Sequence, residues 1–162
     1  MISPAVVRMT YVVPALQKLG LYSQNAEYLL MGTAAIESDF INFVQIGGGP
    51  ARGMFQMEQV TYLDIVNRYL ALPGNKTFRD TAFAMALTNP PSFLELSGNH
   101  LFSAALARIK YRMISASIPS TLTDQAQYWW THYNGQSPNG LKPGDYLSRW
   151  RRYCAPLYPG FK

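Results

Sequence analysis

Glu37 and Ser38, followed downstream by Gly53-Met54-Phe55-Gln56, set one titratable acid ahead of a glycine-containing loop that ends in an amide side chain. An acid suits proton transfer to a leaving oxygen and an amide suits a ligand rich in hydroxyl and acetamido groups, so the chemistry suggested is cleavage of a polysaccharide. Residues 23–40 must position the acid. They read as a helix, because Ser23 is a good cap, Ala26, Leu29, Leu30, Ala34 and Ile36 supply apolar spacing, and no proline interrupts them. Glu37 falls near the C-terminal end, on the face that carries Ala26, Leu30 and Thr33. Burial there and the negative end of the helix dipole both disfavour the ionised form, which predicts a raised pKa and a proton available near neutral pH. The competing expectation is an ordinary solvated helix-end glutamate.

Gly47-Gly48-Gly49-Pro50 and Gly53 cannot be helical, and they allow backbone to approach a ligand closely. Met54 to Met57 are expected to be extended, with Phe55 and Met57 on one side and Met54 and Gln56 on the other, where Gln56 offers both donor and acceptor. Thr61 is expected to cap a helix over residues 62–72, with Asp64 as a short capping-box acid. Near the other end of the chain, Tyr128, Trp129, Trp130, His132 and Tyr133 make an aromatic-rich helix whose rings either stack on pyranose faces or fill the core.

Taken together, Ile36-Glu37-Ser38-Asp39-Phe40, then Gly53-Met54-Phe55-Gln56-Met57 with Thr61, then Tyr133-Asn134-Gly135 resemble in order and spacing the three motifs of the soluble lytic transglycosylase and goose-type lysozyme superfamily. The string from Gly47 to Glu58 is most similar to small transglycosylase-type proteins of tailed bacteriophages. The chain departs from the bacterial pattern at Glu58-Gln59-Val60, where a hydrophobic residue and proline are usual, and at Gly135, which directly follows the tyrosine-asparagine pair. The resemblance implies a lysozyme-like fold and one catalytic acid and base, Glu37. It places Ser38, Met54, Phe55 and Gln56 in the saccharide cleft, Tyr133 near the catalytic carboxylate, and Asn134 beside it. The implied substrate is peptidoglycan, cut at the β-1,4 bond between N-acetylmuramic acid and N-acetylglucosamine.

Hydrolysis normally requires a second carboxylate. Asp39 is expected to point away from Glu37, and Glu58 and Asp64 read as helix-start charges. A lytic transglycosylase needs no second acid, because the muramic C6 hydroxyl displaces the intermediate and the single carboxylate returns as base. The expected product is therefore a 1,6-anhydro end, with a hydrolytic muramidase as the alternative. The other class of function is a non-catalytic virion structural protein that keeps the fold.

A chain of 162 residues that is 48% hydrophobic and 14% charged is expected to form one folded domain, 1–162, rather than a disordered segment. The pattern is all-α or α-dominated. Helices are expected over residues 4–19, 77–87, 99–117, 123–133 and 144–153 besides those above, with at most a small β-hairpin at 47–57. Along the longest, Leu101, Ala105, Ile109 and Met113 form the core stripe, leaving Arg108, Lys110 and Arg112 on the exposed side. Cys154 is a lone cysteine, expected as a small buried hydrophobe, and His100 and His132 lack neighbouring ligands, so no metal or cofactor is expected. The net charge of +5 favours a polyanionic partner such as peptidoglycan. Nucleic acid is not expected, because the cations are dispersed and no nucleic-acid motif is present. Residues 1–20 read neither as a secretory signal nor as a membrane span. By the phage resemblance, the protein is expected in the virion, with other virion proteins as partners there, or in the host cytoplasm until lysis, acting in either case on the periplasmic wall.

Overall fold

The computed structural model describes residues 1–162. Pro4 opens helix α1 (residues 4–18) in the first turn, where a missing N–H leaves nothing unpaired. Pro14 lies inside this helix and cannot donate. The chain absorbs it by widening to π-type bonding over Val7–Val12, so that the Val13 N–H reaches the Arg8 carbonyl. Gly20, at φ 65°, then stops α1 with two reversing bonds, Gly20 N–H to Gln17 O and Leu21 N–H to Leu16 O.

Helix α2 (Gln24–Ser38) begins where expected, with Ser23 Oγ accepting from the Ala26 N–H at 3.1 Å. It ends two residues early, because Asp39 and Phe40 both turn left-handed at φ 50° and 56°. From Leu29 to Ser38 every residue except Glu37 is buried. Such a helix has no solvent face and belongs at the centre of the molecule. Around it pack α1, α5 (His100–Arg112), α6 (Leu122–His132) and α7 (residues 143–154). Gly32 lets α7 come close: a Cβ there would lie 1.9 Å from the Tyr146 hydroxyl oxygen.

Helices α3 (residues 59–69) and α4 (Lys76–Phe83) cover the remaining side. Helix α3 starts earlier than expected. Met57 pairs with Arg52, Glu58 leaves that pair extended at φ −80°, and the helix begins at once, so Thr61 lies in its first turn rather than at its cap. Asp64 pairs with Arg68 one turn on instead of capping. Helix α5 stops at Arg112, earlier than expected, in a tightened last turn in which the Met113 N–H reaches Lys110 O and the Ile114 N–H reaches Tyr111 O, and the segment beyond is held to α6: Tyr128 donates its hydroxyl to Ala116 O at 3.0 Å and Gln125 donates to Pro119 O at 2.9 Å.

The fold is all-α. The expected hairpin reduces to two isolated antiparallel bridges, Val44 with Arg52 and Arg52 with Met57. One cluster of 38 buried hydrophobic residues draws on all seven helices. Cys154 is fully buried, with its thiol directed to Met31 O at 3.6 Å. No helix is long and apolar enough to cross a membrane.

Candidate active site

The C-terminal end of α2, the 40–58 loop, the start of α3 and the ends of α5 and α6 enclose a cleft of about 640 Å³. Its lining includes Glu37, Gln56, Glu58, Thr61, Lys110, Tyr133, Asn134 and Arg149. The three sequence motifs therefore meet at one place, although Ser38, Met54 and Phe55 do not line it.

Glu37 is the one residue in the second half of α2 that keeps an exposed side. Its Oε1 accepts a hydrogen bond from Trp129 Nε1 at 2.8 Å, and Oε2 has no protein partner. Burial pushes its pKa up to about 7, against the opposing pull of the Trp129 hydrogen bond and the Lys110 charge. Desolvation prevails. The carboxyl can hold a proton near neutral pH, release it, and be stabilised as carboxylate by the indole and the ammonium. A second buried glutamate makes the contrast plain. Glu27 faces a separate cavity of about 470 Å³, but its oxygens already accept from Arg8 at 2.6 Å, Tyr22 at 2.9 Å and Tyr158 at 2.7 Å, so it ties α1, α2 and the C-terminal segment together.

Lys110 corrects the expectation of an exposed cation. Phe102 to Ala107, Ile109 and Tyr111 are all buried, so α5 has little solvent face, and Lys110 turns into the cleft. Its Nζ lies 3.5 Å from the Tyr133 ring centroid and donates to Tyr133 O at 3.0 Å. Burial lowers its pKa to about 8, with Glu37 and Glu58 pulling the other way. Tyr133 in turn donates its hydroxyl to Phe55 O at 2.9 Å, and burial keeps that phenol neutral.

Four expected contacts need correction. Ser38 is 2% exposed and lies outside the cleft; its Oγ donates to Ala34 O and accepts from the Phe40 N–H, bracing the left-handed turn that ends α2. Met54 and Phe55 are both fully buried, because residues 53–56 form a tight turn between Arg52 and Met57 rather than an alternating strand. They belong to the core. Gln56 reaches the cleft at φ 42°, but its amide donates to Asn42 O and Gly53 O, both at 2.9 Å. Only its acceptor oxygen is left for a ligand. Asn134 lines the cleft and donates to Leu141 O at 3.2 Å.

The other acids sort by their partners. Asp39 lies 3.4 Å from Arg149 and Asp64 is held by Arg68. Glu58 is exposed at the start of α3, makes no capping bond, and faces the cleft unpaired. Sequence reasoning set Glu58 aside as a helix-start charge and missed the place of Lys110 and the donor role of Trp129. The unbroken Phe102-Ser103-Ala104-Ala105-Leu106-Ala107 run was a usable sign that α5 is enclosed, since a buried helix leaves a lysine no outer face. No group of three or more His, Cys, Asp or Glu side chains is gathered that could hold a metal ion. No protein-family model matches the chain, and neither a curated protein nor a solved structure matches it.

Proposed function

We propose that the protein is a peptidoglycan-cleaving enzyme of lysozyme-like fold that cuts the N-acetylmuramic acid to N-acetylglucosamine β-1,4 bond, with Glu37 as general acid and then base. The observation that carries this reading is Glu37 itself: a carboxyl with pKa about 7, one oxygen held by Trp129, the other free in a cleft where the three motifs converge. Protonation of the glycosidic oxygen by Glu37 releases the leaving sugar. In the transglycosylase reading, the ionised Glu37 then takes the proton of the muramic C6 hydroxyl as that oxygen closes on C1, giving a 1,6-anhydro end. No cofactor or metal takes part in this scheme. By its resemblance to phage proteins, the enzyme would act from the virion during genome entry or at host lysis.

Hydrolysis is the second reading, and Glu58 favours it. An unpaired carboxylate in the same cleft could activate water, a role for which no other acid is free. Digestion of purified peptidoglycan with mass spectrometry of the soluble products tests both. Fragments one water lighter than reducing-end muropeptides mean transglycosylation, reducing ends mean hydrolysis, and no soluble fragments would overturn the enzymatic reading. Failure to find the protein in purified phage particles would remove the virion route.

A further inference from the structure

Beyond Lys110 the cleft does not stop. A lobe of about 340 Å³ shares Thr61 and Lys110 with it and is walled by Val60, Met113 and Ile114. Val60 is 69% exposed there, an apolar surface on the first turn of α3 that no part of this chain covers. The Lys110 ammonium stands at the neck between the two lobes. It has three N–H groups, donates one to Tyr133 O, and forms no salt bridge. The acid inside the lobe, Asp64, is already engaged by Arg68. A half-buried cation with two spare donors next to an apolar wall fits a group that carries a carboxylate on a short alkyl arm. A neutral sugar would offer the spare N–H groups no charged acceptor, and a purely polar arm would gain nothing from the wall.

We propose that this lobe is a subsite for the carboxylate-bearing side arm of the glycan, with Lys110 Nζ binding the carboxylate and Val60, Met113 and Ile114 covering the methyl groups of the arm. This rests on the peptidoglycan reading above. The arm is the lactyl ether of muramic acid or the acidic peptide attached to it, two sources of one chemistry. The subsite selects strands that contain muramic acid over uniform N-acetylglucosamine polymers.

Calorimetric titration in the Glu37→Gln background, where turnover cannot intrude, tests it with three tetrasaccharides: peptide-bearing, amidase-stripped to leave the lactyl carboxylate, and chitotetraose, which has no arm. At least one arm-bearing ligand should bind about tenfold or more tighter than chitotetraose, the yield of one charge-assisted hydrogen bond. Which of the two does so identifies the carboxylate that is read. Adding Lys110→Met should cut that preference to under about threefold, and Ile114→Asn should reduce it in a protein whose circular dichroism is unchanged. Equal binding of all three ligands, or a preference that survives Lys110→Met, would overturn the subsite while leaving peptidoglycan cleavage standing. Binding of none, with no cleavage by the unmodified protein, would take down the functional reading and the subsite together.

Discussion

At the scale of single residues, the account depends on how Glu37 is tuned. Its carboxyl must be protonated to act, so kcat should fall as pH rises through about 7. Trp129→Phe removes the hydrogen bond that favours the carboxylate, and the alkaline limb of the pH–rate profile should move upward; an unmoved limb would mean that the indole does not tune the acid. Stability follows from the same shift, with a sign opposite to that of a salt-bridged acid. The folded-state pKa is raised above the ordinary value of 4.5, so the folded protein binds this proton more tightly than the unfolded chain. Stability contributed by the protonated carboxyl is present at low pH and lost as pH climbs from about 4.5 to 7. Glu37→Gln should therefore be more stable than the unmodified protein at pH 8, by about 3 kcal/mol, with the gap closing toward pH 4; equal melting curves at both pH values would contradict the desolvation argument. That an acid sits near the end of α2 was legible from its spacing. What holds it was not, since Trp129 and Lys110 come from helices distant in sequence and only the fold brings them to it.

At the scale of elements, the turn at residues 53–56 carries the site's geometry. Gly53 has φ 79°, and a Cβ there would lie 2.6 Å from Leu96 O and 2.8 Å from Ser103 Oγ. Gly53→Val should cost about 3 kcal/mol or more in denaturant unfolding, and it should displace Gln56, which bonds to Gly53 O. A variant of unchanged stability would remove this explanation of the loop. The helices themselves were readable because their signs are local: Ser23 and Asn99 cap α2 and α5, and Gly20 ends α1. The loop was misread for the opposite reason. Alternation is expected of a strand, but Gly53 and Gln56 both take positive φ, closing a turn that sends Met54 and Phe55 inward. Thr61 was misplaced because the Arg52–Met57 pair, which closes that turn, decides where α3 can begin.

At the scale of the whole molecule, the buried Glu27 holds the ends of the chain together. It accepts from Arg8 in α1, Tyr22 ahead of α2, and Tyr158 in the C-terminal segment, where Tyr28, Trp150, Tyr158 and Phe161 also stack. Glu27→Ala leaves a half-buried arginine and a buried phenol unpaired, and should lower stability by about 3 kcal/mol without moving the alkaline limb assigned to Glu37. A shift of that limb would mean the two carboxylates are coupled through α2. The net charge of +5 predicts that binding to peptidoglycan weakens as salt is raised, measurable by co-sedimentation with purified walls. Overall helicity could be read from composition and periodicity, whereas this knot could not, because its members lie far apart in the sequence and nothing local marks them as partners.

The most direct test of Glu37 as the working acid is the rate of soluble muropeptide release from purified peptidoglycan by the unmodified protein and by Glu37→Gln, with folding checked by thermal melting. Loss of about 10²-fold or more of the rate in a variant that melts no lower is the predicted result. Release by the variant at a rate close to that of the unmodified protein would contradict it, and would mean that another group delivers the proton.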